Sequence, residues 1–155
     1  MSQSVRTPGV SRAILAARLV GFCIFVIAFF LPAVRQPAAA GASDTYKGAF
    51  CAWVTLVNSF SPALWHTKDF LAILSGWINP LMLLYLLLLI GRKLVWPRRI
   101  VASVIVLFMI ATWIYFYLAP LVPLIGHLLW IVGALLMLAG EVAAPHREPG
   151  GGARG

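Results

Sequence analysis

Residues 70–90 read FLAILSGWINPLMLLYLLLLI, 21 residues without a formal charge. At 1.5 Å per residue a helix of that length covers about 31 Å, the thickness of a bilayer's hydrocarbon core. The next nine residues, GRKLVWPRR at 91–99, hold four cations. An apolar run closed by a basic turn is how a transmembrane helix ends on the cytoplasmic side. That junction predicts a membrane protein and orients it.

Composition agrees. Of 155 residues 62% are hydrophobic and 10% charged, with a mean hydropathy of +0.96. A soluble domain carries roughly 25% charged residues to cover its surface. The net charge of +8 would suggest nucleic acid in a soluble protein. Here the cations flank apolar runs, where anionic headgroups attract each by about 1 kcal/mol. Membrane lipids, and no nucleic acid, are the expected partners.

Three more spans follow outward from the first. Residues 13–34 form an apolar run entered past Arg6, Arg12 and Arg18, and Arg18 is close enough to its start to snorkel to the headgroups. Residues 100–118 end in Trp113, Tyr115 and Tyr117, an interfacial aromatic belt. Pro120 and Pro123 then break the helix before a span at 125–143. Residues 1–12 and 145–155 are tails, the second too polar to fold. The basic start and Ala38-Ala39-Ala40 also resemble a cleavable signal. The apolar run exceeds the about 7–15 residues of a signal's core, which favours a retained span.

The stretch 48–65 is uncharged and could count as a fifth span. Charge decides against it. Four spans put nine Lys and Arg inside and three (Arg35, Lys47, Lys68) outside, whereas five put four inside and eight outside. Phe50, Trp53, Val54, Val57 and Leu64 follow helical spacing, with Thr55, Asn58, Ser59 and Pro62 opposite. The segment reads as an interfacial or re-entrant helix, and a strongly kinked segment is equally compatible. The expected fold class is therefore an all-α membrane protein with four transmembrane helices and one extracytoplasmic amphipathic segment.

Few polar groups could carry function. Pro80 cannot donate to the carbonyl of Gly76, so Asn79-Pro80 at the middle of its span could form a polar midplane site. The plainer reading, a proline kink with Asn79 bonded to a neighbouring helix, is favoured. Gly126, Gly133 and Gly140 recur every seven residues, a stripe that lets another backbone approach. It serves packing within the chain, the favoured reading, or docking of a partner or second copy. Arg18, Arg35, Arg92, Lys93, Arg98 and Arg99 are expected at lipid headgroups. His66, Asp69, Cys51 and His127 contain metal-ligand types but match no ligand spacing, so no metal is expected. Cys23 and Cys51 lie too far apart along the plan to pair.

Glu141 is the lone acid within a span, at its cytoplasmic end. A proton-coupled transporter is expected to hold a carboxylate near the midplane. No CxxC pair, facing His pair, nucleophile with its base or Gly-rich phosphate loop is present, so neither an enzyme nor a cofactor is expected.

The segments Phe30-Leu31-Pro32-Ala33-Val34-Arg35, Tyr46-Lys47-Gly48-Ala49-Phe50-Cys51-Ala52, Asn79-Pro80-Leu81 and Leu128-Leu129-Trp130-Ile131 together resemble a family of small bacterial membrane proteins with a four-span plan. Ala49 departs from the family-like Gly-Trp-x-Cys pattern. The resemblance implies an inner-membrane location and brings no activity; the charge count above places both termini on the cytoplasmic side. The expected function is a non-enzymatic accessory subunit that docks on a larger membrane complex or self-associates. The alternative is a small oligomeric channel or transporter working around Asn79-Pro80.

Overall fold

A computed structural model of the chain describes residues 8–37, 43–66, 70–91 and 94–142. Its elements run α1 (Pro8–Ala28), β1 (Pro32–Pro37), β2 (Ser43–Lys47), α2 (Gly48–Asn58), a 3₁₀ turn (Pro62–His66), α3 (Phe70–Ile90), α4 (Val95–Leu118), β3 (Val122–Pro123) and α5 (Ile125–Val142). Among the described residues α3 and α4 are long and apolar enough to cross a membrane. Arg92, Lys93, Asp69 and the tail at 145–155 lie outside the described residues.

Two antiparallel helix pairs carry the fold, α1 with α5 and α3 with α4. The first pair is drawn close by glycine. A Cβ on Gly133 would stand 2.6 Å from the Phe25 nitrogen, and one on Gly21 2.7 Å from the Gly133 carbonyl oxygen. Gly126 abuts the Pro32 carbonyl and Gly140 the Arg18 guanidinium. The stripe on α5 is thus filled along its length by α1 and the segment after it. Between the pairs lies a dry core in which Ile78, Met82, Tyr85, Ile105, Ala134 and Met137 are each no more than 1% exposed.

The expectation of an all-α fold needs correction. Helix α1 stops at Ala28, not near residue 34, and Pro32–Pro37 is the central strand of a three-stranded sheet ordered β2-β1-β3. Phe29, Phe30 and Leu31 close the last turn on the carbonyls of Val26, Ile27 and Ala28. Pro32 then brings no N–H to continue the ladder. Strand β1 pairs antiparallel with β2 (Arg35 opposite Thr45) and with β3 (Val34 opposite Pro123). The expected break at Pro120 and Pro123 therefore holds a short edge strand, where proline's missing donor is tolerated. Helix α4 also starts earlier than the expected 100, at Val95, because Pro97 fits a helix's first turn.

The segment 48–65 is two pieces, α2 and the 3₁₀ turn. Phe50, Trp53 and Val57 are exposed, while Thr55 turns inward with its backbone against Gly76. Gly76 has room for that approach because it lacks a side chain. A Cβ there would meet the Thr55 carbonyl carbon at 2.7 Å.

Candidate binding chamber

Beside the contact of α2 with α3 lies a partly open chamber of about 440 Å³. It is bounded by the end of α1, by β1, β2 and α2, and by α3, α4 and α5. Its volume is in the range that takes a small organic ligand. Gln36, Thr55, Asn58, Ser75, Asn79, Thr112 and His127 are among the polar groups that interrupt a mainly apolar wall, and among the described residues no Asp, Glu, Lys or Arg takes part in it. An uncharged wall with a few fixed polar groups offers nothing to offset the desolvation of an ion.

Two of the wall's hydroxyls are already engaged. Thr55 Oγ1 donates to the Cys51 carbonyl at 2.8 Å and Thr112 Oγ1 to the Phe108 carbonyl at 2.9 Å, the back-bonding that shields a helical hydroxyl. Asn79 is held from the other side. The Trp130 indole Nε1–H donates to Asn79 Oδ1 at 3.1 Å. Trp130 is itself fixed between Phe25, with centroids 6.0 Å apart, and His127, at 5.6 Å. His127 is 7% exposed, and its Nε2 is buried without a hydrogen-bond partner among the described residues. Phe116 and Trp113 meet its ring edge-to-face at 4.6 and 5.8 Å.

Of the expected polar midplane site, Gly76 receives α2, Asn79 faces Trp130, and α3 continues helically through Pro80. Of the weak metal candidates, Cys51 and His127 both border the chamber. Asp69 is outside the described residues, as is the side chain of His66. No group of three His, Cys, Asp or Glu side chains able to hold a metal occurs among the described residues. Burial pushes the Cys51 thiol above its ordinary pKa, against a smaller opposing effect of a backbone hydrogen bond. Cys23 and Cys51 are both free.

A second polar cluster stands at the opposite end, and the sequence reading did not assemble it. Glu141 Oε1 lies 2.7 Å from Arg18 Nη2 and 2.8 Å from Arg98 Nε. It also accepts the Tyr85 hydroxyl at 3.0 Å. Four helices each send one side chain to this point. Arg18 and Arg98, expected at headgroups, spend charge on Glu141, while Arg35 is exposed on β1 and Arg99 is half-buried. The available signal was depth: Arg18, Arg98 and Glu141 all fall near the same end of their expected spans. No known protein family, curated protein or solved structure matches the chain.

Proposed function

We propose that the chain is a non-enzymatic, multi-pass protein of a bacterial inner membrane that binds an amphiphilic small molecule in this chamber. Helices α1, α3, α4 and α5 are the four spans, with both termini cytoplasmic and the sheet and α2 on the far side. Large apolar side chains support a lipid solvent: Leu83, Leu87, Ile90 and Leu107 are each more than 60% exposed. Patches of that kind are not left bare in water.

The observation that carries the binding reading is the chamber's uncharged, largely apolar wall. A conduit through one chain is disfavoured, because Ile78, Met82 and Ile105 close the space between the helix pairs. Docking on a larger complex or a second copy is the other use of a small non-enzymatic membrane protein. It would have to run through outward faces such as that of α4, since α1 fills the glycine stripe.

The test is photolabelling of the purified protein in nanodiscs with an uncharged decanoyl ester bearing a terminal diazirine. Adducts should concentrate on peptides holding Ser75, Asn79 and Trp130. They should fall at least fivefold in Ala52→Phe, which fills the chamber from α2. Labelling spread evenly over the outward face of α4, and indifferent to Ala52→Phe, would refute the reading.

A further inference from the structure

The chamber's selectivity can be read from the orientation of one amide. An indole Nε1–H donates and cannot accept. The Asn79 atom that meets it at 3.1 Å must therefore be the carbonyl oxygen, which settles the usual ambiguity of an amide's two ends. That leaves Nδ2 and its two N–H donors on the other side. Asn79 makes no other hydrogen bond among the described residues, and Nδ2 is not among the buried atoms left without a partner. The residue borders the chamber, so the free donors are open to whatever occupies it.

The neighbouring polar groups do not answer those donors. Thr55 and Thr112 bond the carbonyls of their own helices, and among the described residues no carboxylate borders the chamber. Amide donors facing an apolar space without an acceptor are costly. We infer that the chamber prefers an uncharged amphiphile whose head carries a carbonyl acceptor, received by Asn79 Nδ2. Trp130 is the positioning residue that keeps this amide's nitrogen toward the ligand. The inference rests on the chamber-binding reading above and names its ligand class.

Competition against the diazirine label tests it in nanodiscs of the full chain. The competitors are methyl undecanoate, undecane, undecanol and undecyl phosphate. In the wild type, methyl undecanoate should displace the label at about one-tenth the membrane mole fraction undecane needs, a factor equal to about 1.4 kcal/mol. Undecyl phosphate should displace it more weakly than the ester. Asn79→Leu should shrink the ester's advantage to within twofold. Trp130→Phe keeps Asn79 but frees its amide to turn, so undecanol should rise to match the ester. That second variant carries the test if Asn79→Leu does not fold. Chamber labelling with ester and hydrocarbon equally potent in the wild type would overturn the inference, water then satisfying the amide, and leave the binding reading standing. An advantage for the ester unchanged in both variants would also overturn it. Absence of chamber labelling would remove the binding reading itself.

Discussion

Replacing Gly133 with alanine adds one methyl group at the narrowest point between α1 and α5. The new Cβ would stand 2.6 Å from the Phe25 nitrogen, 2.8 Å from the Gly21 carbonyl oxygen and 2.9 Å from the Phe25 Cα. All three are backbone atoms, so no side chain can rotate away. Ordinary contact begins near 3.4 Å, so α1 must withdraw by about 0.8 Å, and a gap of that size forfeits a quarter to a half of each dispersion contact it opens. The expected loss is about 2–3 kcal/mol, at the upper part of the range for an overpacked core. Thermal unfolding in detergent, followed by fluorescence of the six tryptophans, should show a midpoint lowered by about 5 °C or more.

A double-mutant cycle makes that reasoning refutable. Gly21→Ala meets the Gly133 carbonyl oxygen at 2.7 Å and the Met137 nitrogen at 2.9 Å, so one withdrawal of α1 relieves both methyls. The double variant should cost about 1 kcal/mol less than the sum of the single ones. Gly91→Ala is the control, since its Cβ would touch chiefly the flexible end of Leu94, and it should change stability by no more than about 0.5 kcal/mol. If Gly133→Ala matches the wild type, or the two costs simply add, the close crossing does not hold the pair together. Gly133→Leu, attractive as a probe of partner docking, would disrupt this same crossing first and so cannot separate docking from folding.

Three other outcomes follow from the polar clusters and the exposed sheet. Glu141→Leu leaves the Arg18 and Arg98 guanidinium groups facing each other at 22% and 14% exposure and should cost about 3 kcal/mol. Adding Arg98→Met should restore part of that in the same unfolding assay, and no recovery would mean the charges are not what was lost. Because burial raises the Cys51 pKa, its thiolate is scarce at pH 8. Maleimide labelling there should be slower than at an introduced Lys47→Cys and should climb as pH rises through 9; equal rates at pH 8 would refute the burial argument. In cells, with the native cysteines replaced, an impermeant thiol reagent should modify Thr45→Cys but not Trp96→Cys, and the reverse pattern would overturn the proposed orientation.

Legibility varied with how local each feature's cause is. Helix α3 occupies the very residues read from the sequence, 70–90, because an uncharged apolar run bounded by polar residues has one helical solution in either solvent. The end of α1 was misjudged because hydropathy does not distinguish helical from extended apolar residues. What decides the matter is the pairing of Val34 with Pro123 and of Arg35 with Thr45, partners that no local window contains. On α2 the residues Phe50, Trp53 and Val57 are exposed together, but so is Asn58 from the opposite face, and the direction of the helix depends on the glycine at 76 that admits Thr55. Asn79 and Trp130 are 51 residues apart and Arg18 and Glu141 123 apart. Single residues at those separations leave no periodic trace, so their depth in the expected spans was the only clue.

The location of the chamber follows from the unequal way the two helix pairs are joined. Each pair is tight within itself, α1 to α5 by glycine and α3 to α4 by the apolar core. At one end they are tied by charge, with Tyr85 and Arg98 reaching Glu141 beside Arg18. At the other end the ties among the described residues are neutral, the Trp130–Asn79 hydrogen bond and the edge-to-face contacts of Trp113 and Phe116 with His127, and the short helix α2 rests on α3 where Thr55 meets Gly76. An ion cluster joins the pairs at one end, and neutral contacts join them at the other, where the chamber lies. The opening takes apolar walls from the helices around it, and Asn79 and His127 belong both to its lining and to the joint. Asn79 is therefore both one of the ties between the pairs and the group an occupant would meet, so binding and the joining of the two pairs draw on the same amide.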